Sequence, residues 1–158
     1  MTDIAFKKRV SVEEVEEGVS FQPKFDSNGL IPVITIEFET NEVLMHGYSN
    51  EDALKLTMST KQAHYFSRSR QKIWKKGEKS GLFQNLKEIK IDDDQDCLIY
   101  YVNLEGKKAS CHVGYKSCFY RKLISKDGKY DVELEFTENE KIFDPKKVYG
   151  NSPNPTKL

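Results

Sequence analysis

Within the five residues Asp92-Asp93-Asp94-Gln95-Asp96 the chain carries four carboxylates. Side chains alternate between the two faces of a strand, so Asp92, Asp94 and Asp96 are expected on one face. Three converging carboxylates repel one another unless a cation sits among them. Hard oxygen ligands of this kind suit Mg²⁺, which also keeps waters and bridges to phosphate. A solvated acidic turn is the plainer alternative. Further along, Cys111-His112-Val113-Gly114-Tyr115-Lys116-Ser117-Cys118 sets two thiols and an imidazole within eight residues. A turn at Gly114 would return Cys118 to Cys111, and Zn²⁺ held there with an open position would generate hydroxide near neutral pH. Two buried cysteines and a hydrogen-bonded histidine would satisfy the same residues without a metal.

A third stretch is cationic. Ser67-Arg68-Ser69-Arg70 is followed by Trp74-Lys75-Lys76-Gly77. Arginine forks and serine hydroxyls are good donors to phosphate, and an indole stacks on a base or anchors a loop. The alternative is a solvated basic loop. No Walker or dinucleotide glycine pattern occurs, so a nucleoside triphosphatase or a Rossmann domain has no support.

Several elements must position these residues. Leu30 to Phe38 is rich in β-branched side chains, and turn chemistry at Thr40-Asn41-Glu42 leads into Val43-Leu44-Met45, which predicts a hairpin. Ser11, with Glu14 at capping-box spacing, predicts a short helix to Gly18, and Asn50 caps a second over Glu51 to Met58. Ala63 to Ser67 reads as extended and Ser67 to Gly81 as a loop. Strands follow at Leu86 to Ile91, Cys97 to Val102 and around Ala109 to Val113. Asp127-Gly128 is a turn, Val132 to Phe136 alternates like an edge strand, and 151–158 reads as a flexible tail. The sum is an α+β domain, mostly antiparallel β-sheet with a few short helices, spanning 1–150.

Length and charge bound the function. At 158 residues the chain has room for one ordinary domain, and its 25 basic and 25 acidic residues cancel. A zero balance argues against nucleic acid or an anionic membrane as partner. The first ten residues contain no apolar run, so neither a signal peptide nor a membrane span is expected, and a cytoplasmic setting with reduced thiols follows.

Taken in order, these stretches resemble the signatures of the phosphoribosyl-AMP cyclohydrolase family. The similarity lies in Asn28 to Pro32, in Ser67 to Gly81, in Asp92 to Asp96 and in Cys111-His112-x-Gly114-x-x-Ser117-Cys118-Phe119-Tyr120-Arg121. It covers residues 25–122, with 123–150 as a C-terminal extension whose Ile142-Phe143-Asp144-Pro145 is similar to one branch of the family. The resemblance implies an intertwined homodimer using Zn²⁺ and Mg²⁺ to hydrolyse the N1–C6 bond of the adenine ring of phosphoribosyl-AMP in histidine biosynthesis. It makes Cys111 and Cys118 zinc ligands, Asp92, Asp94 and Asp96 magnesium ligands, and His112 a general acid or base, with His64 a second candidate. Ser67, Arg68, Ser69, Arg70, Trp74 and Lys76 become substrate-binding residues.

Two positions depart from the family pattern. Asp93 stands where the family has a third zinc thiolate, supplied across the dimer interface. A carboxylate there is a harder ligand, and Cys97, expected on the same strand face, is about 13 Å further along. Lys79 stands where the family usually carries Thr or Ser. The alternative implied by Asp93 is a catalytically impaired relative that serves as a nucleotide-binding protein.

Overall fold

The β-branched run that opens the domain becomes the centre of its sheet in the computed structural model, which describes residues 3–158. Strand β1 (Ile31–Glu37) alternates buried and half-buried positions, with Ile31, Val33 and Thr35 fully enclosed. It pairs antiparallel with β2 (Val43–Ser49). Helix α2 (Glu51–Thr60) then leads to β3 (His64–Ser67) and β4 (Lys72–Lys75), a two-stranded antiparallel hairpin. Strands β5 (Gln84–Ile91) and β6 (Leu98–Leu104) complete the main sheet in the order β2-β1-β6-β5, where only the β1–β6 pair is parallel. Strands β7 (Arg121–Lys126) and β8 (Lys129–Phe136) form a separate hairpin; α1 (Val12–Glu17) precedes the sheet and α3 (Pro145–Tyr149) ends the regular structure. The α+β class with mostly antiparallel pairing is therefore observed.

One core holds these layers together. Ile31, Val33, Leu44, Leu54, Tyr65, Leu98, Tyr100 and Val102 are fully buried in a single cluster, and each large aliphatic side chain so enclosed contributes roughly 1.5–3 kcal/mol. Helix α2 starts where the Asn50 side chain accepts from the Ala53 N–H at 2.8 Å. Its buried Thr57 hydroxyl donates to the Ala53 carbonyl and accepts from the His64 N–H at 2.9 Å, tying the helix to β3. Gly47 allows the hairpin to close on the sheet, because a Cβ there would meet the Tyr65 ring at 2.9 Å.

A polar chain runs through this core. The Tyr65 hydroxyl donates to the Gln84 side-chain oxygen at 2.6 Å and lies 2.6 Å from the Thr35 hydroxyl. The Gln84 amide in turn donates to the Ser110 hydroxyl at 3.2 Å. All four residues are buried, so every polar atom must find its partner inside the protein.

Four sequence expectations change. The stretch Ser67 to Gly81 is not all loop, since Lys72–Lys75 pair with β3; its charged residues hide the strand because only Ile73 and Trp74 are apolar. Ala109 to Val113 forms no strand, because Ser110 and Cys111 donate to the Lys116 and Tyr115 carbonyls across a local turn instead. Asp92 to Asp96 is a turn between β5 and β6, and Cys97 lies outside the strand. Ser11 caps α1 as expected, but the Glu14 carboxylate accepts from Gln22 and not from the Ser11 backbone. Strand β7 and helix α3 were not anticipated.

Tyr65→Phe removes one hydroxyl and strands its two buried partners. It is expected to lower unfolding stability by about 1–3 kcal/mol, seen as a lower urea midpoint at unchanged slope. A midpoint equal to that of the parent chain would show that the polar chain contributes nothing.

Candidate active site

The hairpin β3–β4 and strand β2 form two walls of a cleft of about 590 Å³. Its rim is the β3–β4 turn, where the Ser67 hydroxyl accepts from the Arg70 backbone N–H at 3.3 Å and from its guanidinium Nε at 3.2 Å. That bond orients Arg70, whose guanidinium lies 5.9 Å from the Trp74 ring, while the Arg68 guanidinium lies 4.2 Å from the Tyr48 ring. Both cations are thus held against aromatic faces with N–H donors free for an anion. Ser67, Arg68, Ser69, Arg70 and Trp74 all line this cleft, and so does His112 from the thiol loop.

Lys76 is placed differently. It is buried, and its ammonium donates to the Ser110 carbonyl at 2.5 Å behind the cleft. Burial pulls its pKa down, and the neighbouring Cys118 and Cys111 thiols pull it back up. It serves the thiol loop as a fixed counter-charge.

That loop is fastened to the sheet edge. Cys118 N–H donates to the Leu44 carbonyl at 2.7 Å, and the Ser117 hydroxyl donates to the Val43 carbonyl at 2.8 Å. The Lys116 ammonium sits 2.9 Å from Glu37 and 2.8 Å from Glu42. Gly114 turns the loop at φ +110, and a Cβ there would meet the Phe143 carbonyl. The outcome is that Cys118 returns beside Cys111. Interaction with Cys118 lowers the Cys111 thiol against the opposing effect of burial, and interaction with Cys111 together with burial pushes Cys118 up.

His112 follows directly. Burial and the Lys76 charge lower its pKa, so the ring is neutral near pH 7, and its buried Nε2 has no hydrogen-bond partner. His64 lies outside the cleft lining. Its Nδ1 is 2.8 Å from the Gln62 carbonyl, and burial depresses its pKa.

The acidic residues converge in the turn between β5 and β6. Asp92 Oδ1 accepts from the Asp96 and Cys97 N–H groups at 2.9 and 3.1 Å. Gln95 takes a left-handed φ of 58 and buries its side chain, accepting from Gln22 N–H and donating to the Val15 carbonyl. With Gln95 turned inward, oxygens of Asp92, Asp94 and Asp96 come within 4.8 Å of one another. Asp93 is exposed and faces a second cleft beside α1. Asp93 follows β5 and Cys118 is bonded to β2, the opposite edge, so three strand spacings of roughly 4.8 Å put about 14 Å between them. Asp93 and the thiols of the same chain cannot share an ion.

The structure also adds residues. His46 and Tyr48 line the cleft from β2, with their rings 5.0 Å apart. Period-two alternation would have found both had the strand been extended past Met45. Pro155, Thr156 and Lys157 line it too, and nothing local in their sequence signals that.

The family model described as phosphoribosyl-AMP cyclohydrolase matches residues 45–120. A protein of that name from Methanoregula boonei is 56% identical over 129 residues, covering 82% of this chain and 95% of its own length. Namesakes from Rhizobium leguminosarum bv. trifolii and Bradyrhizobium diazoefficiens are 48% and 44% identical over 136 residues, each covering 86% of this chain and 89% and 94% of their own. The chain belongs to the phosphoribosyl-AMP cyclohydrolase family. The segment matching the cyclohydrolase model begins in β2 and ends just past Cys118, so the arginine rim, the acidic turn and the thiol loop all fall inside it.

In this cyclohydrolase the Asp96 carboxyl is pushed up to about 6, because Asp92 and Asp94 hydrogen-bond to it and repel its anion. A raised carboxyl holds a proton that the unfolded chain has released, so the turn favours folding most below about pH 4 and loses that contribution as the pH climbs to about 6. A divalent cation must displace the same proton. Mn²⁺ affinity measured by calorimetry is expected to rise about tenfold per pH unit up to about pH 6 and then level off. Affinity that stays flat across this range would mean that the ion binds elsewhere.

Proposed function

We propose that this chain opens the adenine ring of phosphoribosyl-AMP at the N1–C6 bond, a step of histidine biosynthesis, with Zn²⁺ at the paired thiols and Mg²⁺ at the acidic turn. The observation that carries the reading is the loop holding Cys111, His112 and Cys118, which brings His112, its Nε2 without a hydrogen-bond partner among the described residues, into the lining of a cleft rimmed by Ser67, Arg68, Ser69 and Arg70.

The donor sets fit the two metals. A pair of neighbouring sulfurs, with the Cys111 thiol lowered, suits Zn²⁺, whereas three clustered carboxylates suit a hard cation. Zn²⁺ bound by the thiols would activate the attacking water. The remaining work falls to the chain's own side chains. Arg68, Arg70 and the two serines donate to substrate phosphate, and Tyr48 and Trp74 offer flat faces beside the base. Neutral His112 accepts the proton of the water that adds to C6 and returns it to N1 as the C–N bond breaks.

A homodimer belongs to this reading. Asp93 stands about 14 Å from the thiols of its own chain by strand count, so only a second copy can bring it to them. Tyr130, Val132, Leu134 and Phe136 of β8 remain exposed, apolar surface of the kind that subunit contacts cover. Among the described residues no helix is long and apolar enough to cross a membrane, and the balanced charge gives nucleic acid no foothold, in keeping with a cytoplasmic enzyme acting on a small nucleotide.

Purified protein supplied with Zn²⁺ and Mg²⁺ is expected to convert phosphoribosyl-AMP, and a chelator to abolish the reaction. Cys111→Ala and Asp94→Asn should each cost at least about 100-fold in kcat/KM, since losing even an outer-shell metal partner reaches that figure. Binding without turnover in the metal-loaded parent would leave a nucleotide-binding protein in place of an enzyme. Mixing the two inactive variants is expected to recover part of the activity, because each copy supplies what the other lacks; no recovery would rule out a site shared between chains.

A further inference from the structure

The chain around α3 is fastened to the body of the protein, and the exposed residues 151–158 continue from it. Ile142 N–H donates to the Gly114 carbonyl at 2.7 Å, and Phe143 is buried against Leu82 and Ala109. The Asp144 carboxylate caps α3 by accepting from Lys146 N–H at 3.0 Å, and the Tyr149 hydroxyl is hydrogen-bonded to Ser80. After Gly150 the chain reverses, with Ser152 N–H on the Tyr149 carbonyl at 3.0 Å. The Asn154 Oδ1 accepts from Thr156 N–H at 2.8 Å, fixing a local turn. Pro155, Thr156 and Lys157 line the same cleft as His112 and the arginine rim.

We infer that residues 154–157 form a wall of the substrate site and that Lys157 binds a phosphate of the nucleotide. The inference rests on the reading of the cleft as a phosphoribosyl-AMP site. Phosphoribosyl-AMP carries two phosphate monoesters, each close to a dianion at neutral pH, and the rim formed by Arg68 and Arg70 supplies only two guanidinium groups. Lys157 brings a third cation to the lining of the same cavity. An ammonium on a flexible stem suits that place, because it follows a phosphate without needing a fixed fork geometry. Burial of Phe143 and the turn held by Asn154 bring the segment to the cleft.

Two readouts test this, one of them independent of turnover. With the full metal-loaded chain, Lys157→Met is expected to raise KM for phosphoribosyl-AMP about fivefold to tenfold with kcat within about twofold, while Lys157→Arg restores KM, as for loss of a contact made equally in ground and transition states. In calorimetry with AMP as probe, the Met variant should weaken binding by a similar factor, and a chain ending at Gly150 should weaken it at least as much. Lys147→Met, on the exposed side of α3, serves as control for simple charge loss. Equal AMP affinity in parent, Met variant and shortened chain overturns the inference. So does faster turnover by the shortened chain, which would mark the segment as an obstruction. Should the parent fail to turn over phosphoribosyl-AMP, the proposed reaction falls, while the AMP series still decides the role of Lys157.

Discussion

Gln84 is the joint on which the rest of the structure depends. Its side chain is fully buried and must satisfy an acceptor and two amide hydrogens without water. The oxygen accepts from Tyr65, which fixes the β3–β4 hairpin against the sheet, and the amide reaches Ser110 and the Met45 sulfur, which fixes the start of the thiol loop and the floor of the cleft. An unsatisfied group at this depth costs about 1–3 kcal/mol, so each partner is pinned by the need of the others. One side chain thereby sets the distance between the arginine rim and the cysteines.

Electrostatics builds on that frame. The Lys76 ammonium is carried into the interior on the same hairpin and rests on the Ser110 carbonyl, near Cys111 and Cys118. Burying a lone cation would be expensive, and a carbonyl acceptor with the lowered Cys111 thiol nearby is an environment in which it is tolerated. At the opposite edge of the sheet the acidic turn concentrates the contrary charge, and a buried glutamine again does the structural work: Gln95 anchors the turn to α1 so that its flanking aspartates converge. The chain has no net charge, yet the thiol loop with its Lys76 and the acidic turn are separated by the width of a four-stranded sheet.

That separation explains how much of the site was legible beforehand. Residue types and spacing singled out three stretches, two of which the fold brings together at one cleft, and the fold class followed from β-branched runs and caps at Asn50 and Ser11. The grouping of Asp92, Asp94 and Asp96 was expected for the wrong reason, since a turn with a left-handed Gln95 brings them together and strand alternation does not. Lys76 was read with the basic loop because composition cannot tell an exposed lysine from one that the end of β4 carries inward. His46 and Tyr48 were missed only through ending β2 too soon.

By itself the sequence determined the local features: which runs prefer strand or helix, where Gly114 must turn, and which side chains are able to ligate, donate or stack. These depend on side-chain chemistry and short-range backbone preference, which are present in any segment read alone. Tertiary structure decided what no segment contains. It placed Lys157 and Arg70 in the lining of one cleft, turned Lys76 towards the thiols, and set Asp93 a sheet's width from Cys118. Such relations arise from strand order and from the shared satisfaction of buried polar groups, both of which join residues far apart in the chain.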